Sequence, residues 1–354
     1  MNNLEGIPID KILYHNFIKY SRMDMLFEKE LSGVCITEKV VNVYIDLFSF
    51  LSDIYRNTNM QSIFHLTSAI VNMGIHYRNY FFKKGVYANI IFIYSPNISP
   101  INVKYIKTWY QDYKVNMMNN PNAKNIINKN LELLLTIMPY IPDMFIKIGS
   151  VSPSVMVFDI IRVFDSKGFK YPNIFVTRDP YAFQLPSILP NTVLFIKKYK
   201  RNGDDVSYSV NHGNCVNEFI RAYKNLQVED YIDPDWMNPY MILGGLGSKY
   251  GITSLFDYMN IFQILGQLKM QYSNYEPSDI YKAIQDLFPN TKITFEDIDK
   301  RYKCLNLFYQ LAEYSVLPES KEFNWLTQMK DFETLVRINE KYFRSAPMNL
   351  DKLG

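Results

Sequence analysis

Hydrophobic positions in the first 210 residues alternate between runs of strand length and stretches with helical spacing. The strand-length runs are residues 40–45, 88–94, 173–177 and 191–199, and residues 206–210 follow an NGDD turn as a hairpin partner of the last run. Residues 61–82, between the first two runs, carry apolar side chains at helical spacing. The order strand, helix, strand predicts a right-handed βαβ unit and a parallel sheet.

Helical patterns dominate the rest of the chain. Residues 129–140 and 154–164 are predicted helices, and residues 141–153 are predicted to connect them. From Val216 onward almost every segment has helical spacing, including residues 325–342, with GGLGSKYG at 244–251 as the one sharp interruption. The predicted domains are an N-terminal arm (1–39), an α/β domain (40–215), a helical domain with a Gly-rich helix–turn–helix (216–310) and a C-terminal helical tail (311–354).

The composition fits a soluble globular protein with a sizeable core, because 48% of the 354 residues are hydrophobic. No apolar run approaches the roughly 20 residues that a bilayer span requires, and the first residues lack the apolar core of a signal peptide. We therefore expect no membrane partner. The three cysteines and four histidines are scattered without metal-ligand spacing, so a reducing compartment is expected and a zinc site is not.

The net charge of +3 is too small to predict a polyanionic partner, but the lysines are unevenly distributed. Residues 98–130 contain five lysines and a single acid, with aromatic residues interleaved among the first three lysines. Lysines contact phosphates and flat rings stack on unpaired bases, so this segment is a candidate nucleic-acid site. The alternative is a solvated helical face whose aromatic residues anchor it to the core. The candidate binding residues are Lys104, Lys107, Trp109, Tyr113 and Lys114.

Acidic residues follow two of the predicted strands. Asp46 ends the first strand, and Asp179 comes two residues after the strand at 173–177. In an open α/β sheet, residues at the carboxyl ends of the strands line the functional edge. Asp46 and Asp179 are therefore candidate functional residues, and for Asp46 the alternative is that it caps the helix that follows.

The glycines of residues 244–251 form a second candidate site for nucleic acid. Gly245, Gly247 and Gly251 would let the backbone approach a phosphate, toward which the amide groups of the next helix point, and Lys249 adds positive charge. A plain turn between two helices is the alternative. Four cations lie at the end of the fourth predicted strand. They either extend a basic surface or only solvate the strand end: Lys197, Lys198, Lys200 and Arg201.

Four segments within residues 40–270, taken in order, resemble the flap-endonuclease family of 5′-nucleases, which includes phage 5′–3′ exonucleases. The segments are YIDLFSFLSDIYR, KTWYQDYK, FVTRDPYAFQL and GLGSKYGITSLF. The resemblance implies an α/β fold with a PIN-like parallel sheet flanked by helices and followed by a helical region. It also implies a site in which several carboxylates hold two divalent ions about 4 Å apart, which activate water and stabilise the leaving oxygen.

The sequence departs from the family at most of the acidic positions. The second strand ends in Tyr94-Ser95 where the family has Asp, MVFDII retains only Asp159, and Tyr181 stands at a second acidic position. The acidic loop that the family has before the glycine turn is also missing. Asp46, Asp159 and Asp179 remain as residual acids. Three carboxylates of this kind would bind either no metal ion or a single Mg²⁺ weakly. No catalytic residue is therefore assigned. Four other acids could compensate: Asp53, Asp143, Asp204 and Asp205.

These observations favour a catalytically degenerate flap-endonuclease-like protein. It is expected to bind nucleic acid, with DNA favoured over RNA, or to serve as a subunit beside other viral proteins in a replication, transcription or virion complex. The 28 Tyr and 24 Phe, with abundant Asn, Lys and Ile, match AT-rich codons and predict a viral or phage origin. The expected location is then the cytoplasm of the infected cell or the virion. The alternatives are an active metal-dependent 5′–3′ exonuclease or flap endonuclease with a rearranged site, and a protein-interaction module that binds no nucleic acid.

Overall fold

The computed structural model describes residues 40–47, 62–95, 121–149, 151–166, 168–199, 205–247, 252–272, 275–315, 331–345 and 347–353. Six strands in these residues form one sheet in the order β3-β2-β1-β4-β5-β6. All neighbouring strands are parallel except β5 and β6, which form the predicted hairpin. The strands are β1 (Val40–Asp46), β2 (Tyr87–Tyr94), β3 (Met144–Ile148), β4 (Asn173–Thr177), β5 (Thr192–Tyr199) and β6 (Asp205–Val210).

Helices flank this sheet and make up the second half of the described chain, which confirms the predicted fold class. They are α1 (Ile63–Phe82), α2 (Pro121–Ile137), α3 (Pro153–Ser166), α4 (Gln184–Ile188), α5 (Cys215–Lys224), α6 (Met237–Gly244), α7 (Tyr258–Gln271), α8 (Pro277–Leu287), α9 (Phe295–Leu305), α10 (Leu307–Ser315) and α11 (Phe332–Tyr342). Short 3-10 helices lie at Met138–Tyr140, Pro180–Phe183, Pro234–Trp236 and Leu350–Leu353. No helix in the described part of the chain is long and apolar enough to span a bilayer.

β1 lies inside the sheet and contributes to both core layers, because alternate residues of a strand point to opposite faces. Val43 and Ile45 pack into a first layer that also contains the buried sides of α1 and α2. Tyr44 packs into a second layer that contains α3 and the helices α5 to α10. The apolar run that predicts β1 from the sequence is therefore a strand buried on both faces, as is typical of parallel sheets.

The strand β3 falls in a segment that the sequence predicts to be a connection. It has only five residues, MFIKI, and it pairs with β2 in parallel at one end of the sheet. Met144 and Ile146 are buried whereas Phe145, Lys147 and Ile148 are partly exposed. A run this short, interrupted by a lysine, carries too little hydrophobic periodicity to distinguish an edge strand from a loop.

Residues near the end of the chain complete the first core layer. Leu335 of α11, Phe343 and Leu353 are buried in the same hydrophobic cluster as α1. Ser68 of α1 donates a 3.0 Å hydrogen bond to the carbonyl of Pro347, and Arg78 donates a 3.2 Å bond to the carbonyl of Leu353. This segment therefore packs as part of the α/β core, while the domain boundaries predicted from the sequence stay predictions.

Candidate functional site

The carboxyl ends of β1, β2 and β4 meet at one edge of the sheet, which we call the carboxyl edge. β1 ends at Asp46, which pairs with Ile93 of β2, and β2 is followed by Ser95. On the other side of β1, Ile45 pairs with Val176, so Thr177 lies beside Asp46. Asp179 follows two residues later. The structure therefore brings Asp46 and Asp179 to the same edge, as the parallel sheet predicts.

Thr177 links these two acids. Its hydroxyl donates to Asp46 Oδ2 at 2.9 Å and accepts from the backbone N–H of Asp179 at 3.0 Å. Both carboxylates have 0% of their surface exposed, and Thr177 has 2%. A buried carboxylate needs hydrogen-bond donors to replace water, and at this edge the protein itself supplies them.

Asp179 acts as the N-cap of the 3-10 helix at Pro180–Phe183. Its Oδ1 accepts from the Tyr181 N–H at 3.1 Å, and its Oδ2 accepts from the Ser154 hydroxyl at 2.7 Å. Ser154 lies in the first turn of α3 and is fully buried. Both carboxylate oxygens of Asp179 are thus engaged in hydrogen bonds that hold β4, α3 and the 3-10 helix together.

Asp159 lies elsewhere on α3, about one and a half turns beyond Ser154. Burial raises the pKa of its carboxyl group, and the positive charges of Lys147 on β3 and Arg162 on α3 partly oppose that rise. Its environment is therefore a half-buried position facing two cations. The hydrogen bonds that link Asp46 and Asp179 run through Thr177, and the bond from α3 to Asp179 comes from Ser154.

The donor groups of this edge do not fit a divalent-metal site in the described residues. No group of three His, Cys, Asp or Glu side chains suited to a metal ion occurs there. Ser95, which follows β2, is fully buried and carries no charge. Asp143 forms a 3.1 Å ion pair with Arg78 at the opposite end of the strands. Metal binding at Asp46, Asp159 and Asp179 stays a prediction, and Asp53 and Asp204 lie outside the described residues.

The glycine turn after α6 is held by hydrogen bonds within the chain. Gly245 has φ +62°, and a Cβ there would lie 2.3 Å from the carbonyl oxygen of Ile252. Gly247 has φ +97°, and its N–H donates to the same carbonyl at 2.8 Å. Both glycines are therefore required by backbone geometry, in a left-handed region that other residues rarely adopt.

Two partly buried cations cap the carboxyl end of α6. Arg301 donates to the carbonyl of Ile242 at 3.0 Å, and Lys224 donates to the carbonyl of Gly244. Burial lowers the pKa of both side chains, and their mutual repulsion adds to the effect at Lys224. These cations satisfy backbone carbonyls that the helix end leaves without partners.

The next helix, α7, has its amino end capped by an acid. The carboxylate of Asp257 accepts from the Asn260 N–H at 2.9 Å and from the Asn260 side-chain amide at 2.7 Å. A negative cap occupies the amide groups that a phosphate would otherwise contact. Phosphate binding by the turn itself stays a prediction, and Lys249 and Gly251 lie outside the described residues.

The basic aromatic segment predicted to bind nucleic acid also lies outside the described residues. Lys104, Lys107, Trp109, Tyr113 and Lys114 all fall in this part of the chain. Their role stays a prediction. Of the four cations at the end of the fourth predicted strand, Lys197 and Lys198 lie in β5, and Lys200 and Arg201 lie outside the described residues.

Sequence reasoning missed Thr177 and Ser154, the two hydroxyl residues that hold the acids. The spacing Thr-x-Asp at the exit of a strand is one available signal, because a hydroxyl two residues before an acid can accept its backbone N–H. Ser154 carries no comparable signal, since the residue that it contacts is 25 positions away.

Comparison with known proteins gives similarity only at the level of structure. No family model and no curated protein matches the sequence. A pseudo-enzyme–product complex of the bacteriophage T5 flap endonuclease with DNA and metal ions is similar with a TM-score of 0.48 and 11% identity, over 85% of this chain and 100% of that one. The T5 5′-exonuclease with bound zinc has a TM-score of 0.41 and 11% identity, over 78% and 89% of the two chains. The catalytic core of Rad2 in complex with a DNA substrate has a TM-score of 0.40 and 15% identity, over 90% and 92%.

Proposed function

We propose that this chain is a catalytically degenerate flap-endonuclease-like protein that binds nucleic acid without hydrolysing it. The observation that carries the proposal is the burial and hydrogen bonding of the acids at the carboxyl edge. Asp46 and Asp179 are fully buried, and Thr177 and Ser154 donate hydrogen bonds to them. They serve the fold as caps and links between elements.

Hydrolysis by two metal ions requires carboxylate oxygens that remain open to the ions and to water. The ions must stand about 4 Å apart and be held by several acids at once. Asp179 has both oxygens in protein hydrogen bonds, and Ser95 supplies no charge. The residues that would carry the chemistry are therefore engaged in stabilising the edge.

Support for nucleic-acid binding comes from cations and glycines in the order that the resemblance implies. Residues 98–130 combine lysines with aromatic rings in the sequence, and Lys249 belongs to the glycine-rich residues 244–251. Neither feature requires a metal ion. DNA is the proposed polymer, with RNA as the alternative, and contacts to phosphates are the proposed source of affinity.

The proposed setting is a viral or phage replication, transcription or virion complex in the cytoplasm of an infected cell. The support is compositional, since the abundance of Tyr, Phe, Asn, Lys and Ile matches AT-rich codons. In such a complex the chain acts beside other viral proteins.

A cleavage assay tests the loss of catalysis. Purified full-length protein is incubated with labelled flap and single-stranded DNA in Mg²⁺ and separately in Mn²⁺. We expect no products above background. Cleavage that is lost in Asp46→Asn, and retained in Asp165→Asn at the opposite edge, would show an active nuclease and overturn the proposal.

A binding assay tests the other half of the proposal. Affinity for a labelled flap duplex, measured by fluorescence anisotropy, should fall as salt rises. Lys249→Glu should weaken binding to all sequences alike and reduce the slope of log affinity against log salt by about one, because phosphate contacts carry no base information. Lys300→Glu is the charge control, since Lys300 already pairs with Glu296 at 2.8 Å. Absent binding, or binding insensitive to salt, would support the protein-interaction module.

A further inference from the structure

The amino ends of the same strands form a second edge, which we call the amino edge. Inside it lies a row of asparagines, one from each of β1, β2 and β4. Asn42 donates to Asn173 at 3.3 Å, and Asn89 donates to Asn42 at 3.0 Å. The row follows from the strand register, in which Asn42 pairs with both Asn89 and Asn173. These amides fix the relative positions of three strands at this edge.

Aromatic rings lie outside this row, and several of them are exposed. The exposed fractions are 50% for Phe82, 58% for Tyr87 and 47% for Phe169. Phe82 and Tyr87 contact each other edge to face, with ring centroids 6.4 Å apart. Phe169 stacks on Tyr171, with centroids 5.9 Å apart and 24° between the ring planes. Each pair leaves ring surface in contact with solvent.

The two pairs are neighbours across the sheet. Tyr87 pairs with Val40 of β1. On the other side of β1, the Asn42 N–H bonds the Pro172 carbonyl at 2.9 Å, which places Tyr171 level with Val40 as well. Strands lie about 4.8 Å apart, so the backbones of Tyr87 and Tyr171 are about 10 Å apart. This distance is comparable to the height of a few stacked bases.

The turns that present the rings are fixed by hydrogen bonds. After α1, Gly85 has φ +73° and its N–H bonds the carbonyl of Phe82 at 2.9 Å. After α3, Gly168 has φ +85° and its N–H bonds the carbonyl of Asp165 at 3.0 Å. Because both turns are ordered in this way, the rings are held in place before any ligand arrives.

Lysines accompany the rings on both turns. Lys83 and Lys84 are exposed beside Phe82, and Lys170 is exposed between Phe169 and Tyr171. Lys84 also lies over the ring of Tyr80, with Nζ 4.7 Å from the centroid. Two of the acids described on this side are Asp143, which pairs with Arg78 at 3.1 Å, and the half-buried Asp165, whose pKa is raised by burial although the charge of Lys170 opposes the rise. The charge next to the exposed rings is therefore positive.

We propose that this surface binds single-stranded nucleic acid by stacking bases on its rings and pairing phosphates with its lysines. The aromatic edge, as we name it, consists of Phe82, Lys83, Lys84, Tyr87, Phe169, Lys170 and Tyr171. Unpaired bases offer the flat faces that such rings bind, and a duplex does not. An apolar protein partner would remove water from the exposed lysines without offering them an anion, whereas a nucleic acid offers its phosphates. The surface lies about 20 Å along the strands from the carboxyl edge, since β1 has seven residues.

Fluorescence anisotropy with a labelled oligothymidylate of about 20 nucleotides tests the proposal in the full chain. We expect Tyr87→Ala and Phe169→Ala each to weaken binding about fivefold or more. Phe295→Ala is the matched control, because Phe295 is 46% exposed and contacts Tyr281 edge to face with ring centroids 6.0 Å apart, much as Tyr87 contacts Phe82. This control should leave affinity unchanged. Equal affinities for wild type, Tyr87→Ala and Phe169→Ala would overturn the proposal.

Photo-crosslinking locates the contact independently of affinity. An oligonucleotide containing 5-bromodeoxyuridine is irradiated with the protein, and adducts are mapped by mass spectrometry. Adducts at Tyr87, Phe169 or Tyr171 support the proposal, and adducts confined to other segments contradict it. An assay with a fully paired duplex, without a flap, separates this site from the proposed function, because Lys249→Glu should weaken binding to that duplex while Tyr87→Ala leaves it intact.

Discussion

The two edges of the sheet differ in what they present to solvent. Among the described residues, the carboxyl edge encloses its charged groups, since Asp46 and Asp179 are fully buried and held by Thr177. The amino edge encloses the neutral amides of Asn42 and Asn173 and leaves rings such as Tyr87 exposed. The sequence resemblance assigns its chemistry to the first edge, whereas accessible binding groups in the described residues lie at the second.

This difference shows that the position of an acid on a fold does not determine its role. A carboxylate at the end of a parallel strand can ligate a metal ion when it is open to solvent. The same group becomes a cap when neighbouring hydroxyl and amide groups donate to it and water is excluded. In this chain Ser154 and Thr177 supply such donors, to Asp179 and Asp46 respectively.

The largest expected effect on stability concerns the glycine turn, which belongs to one of the four segments that resemble the flap-endonuclease family. Gly245→Ala should destabilise the protein by about 3 kcal/mol or more, because it adds a Cβ against a backbone carbonyl at a left-handed φ. Urea unfolding at neutral pH measures the change. Gly247→Ala is the control, since its Cβ would meet open space, and we expect about 1 kcal/mol from its positive φ alone. Similar losses for both variants would mean that contact with Ile252 does not constrain the turn.

Asp179→Ala tests directly whether the carboxyl edge is enclosed. We expect a loss of about 2–3 kcal/mol in the free energy of unfolding, because the Ser154 hydroxyl and the Tyr181 N–H lose their acceptor. In a metal site without its ion, the acids repel one another, and removing one relieves that repulsion. A gain in stability for Asp179→Ala in the presence of a chelator would therefore identify an open metal site.

Asn42→Ala tests the amide row at the amino edge. The substitution removes the central member of the row and leaves Asn89 and Asn173 without one partner each. We expect a loss of about 1–2 kcal/mol, smaller than at Asp179 because the groups are neutral. Thermal or urea unfolding gives the value. An unchanged stability would show that the row does not hold the three strands in place.

Asp159→Asn should produce the smallest change, an increase in stability at neutral pH. A raised pKa means that the folded chain binds the proton more tightly than the unfolded chain, so stability falls as pH rises above the ordinary Asp value of 3.8. Asparagine removes this penalty, and the melting temperatures of variant and wild type should converge as pH falls. A lower melting temperature for the variant than for wild type at neutral pH would contradict the predicted gain in stability. Stabilisation by Mg²⁺ of wild type but not of the variant would contradict it as well.

Most of the fold could be predicted from local pattern. The runs that became β1, β2, β4 and the first five residues of β5 are largely apolar because most of these residues are buried, and burial of that kind is visible in a single sequence. The helix predicted at 61–82 is observed as Ile63–Phe82. By contrast, β3 was not predicted, since an edge strand of five residues resembles a loop in composition.

The state of the candidate site could not be predicted, because it depends on contacts between residues far apart in sequence. Asp46 and Thr177 are 131 positions apart, and nothing near Asp46 indicates its partner. The asparagine row left a readable signal, since an Asn occurs near the start of three strand runs. Its meaning depends on the register, which only the assembled sheet supplies.

The contact between α1 and the last described segment has a consequence for how the protein is made. Ser68 and Pro347 are bonded although 279 positions separate them, and the side chains around this bond share one core layer. A ribosome must therefore synthesise the chain as far as Pro347 before that layer can be shielded from water. Until then the apolar side of α1 is a surface on which a chaperone could act, and premature termination should yield an aggregating product.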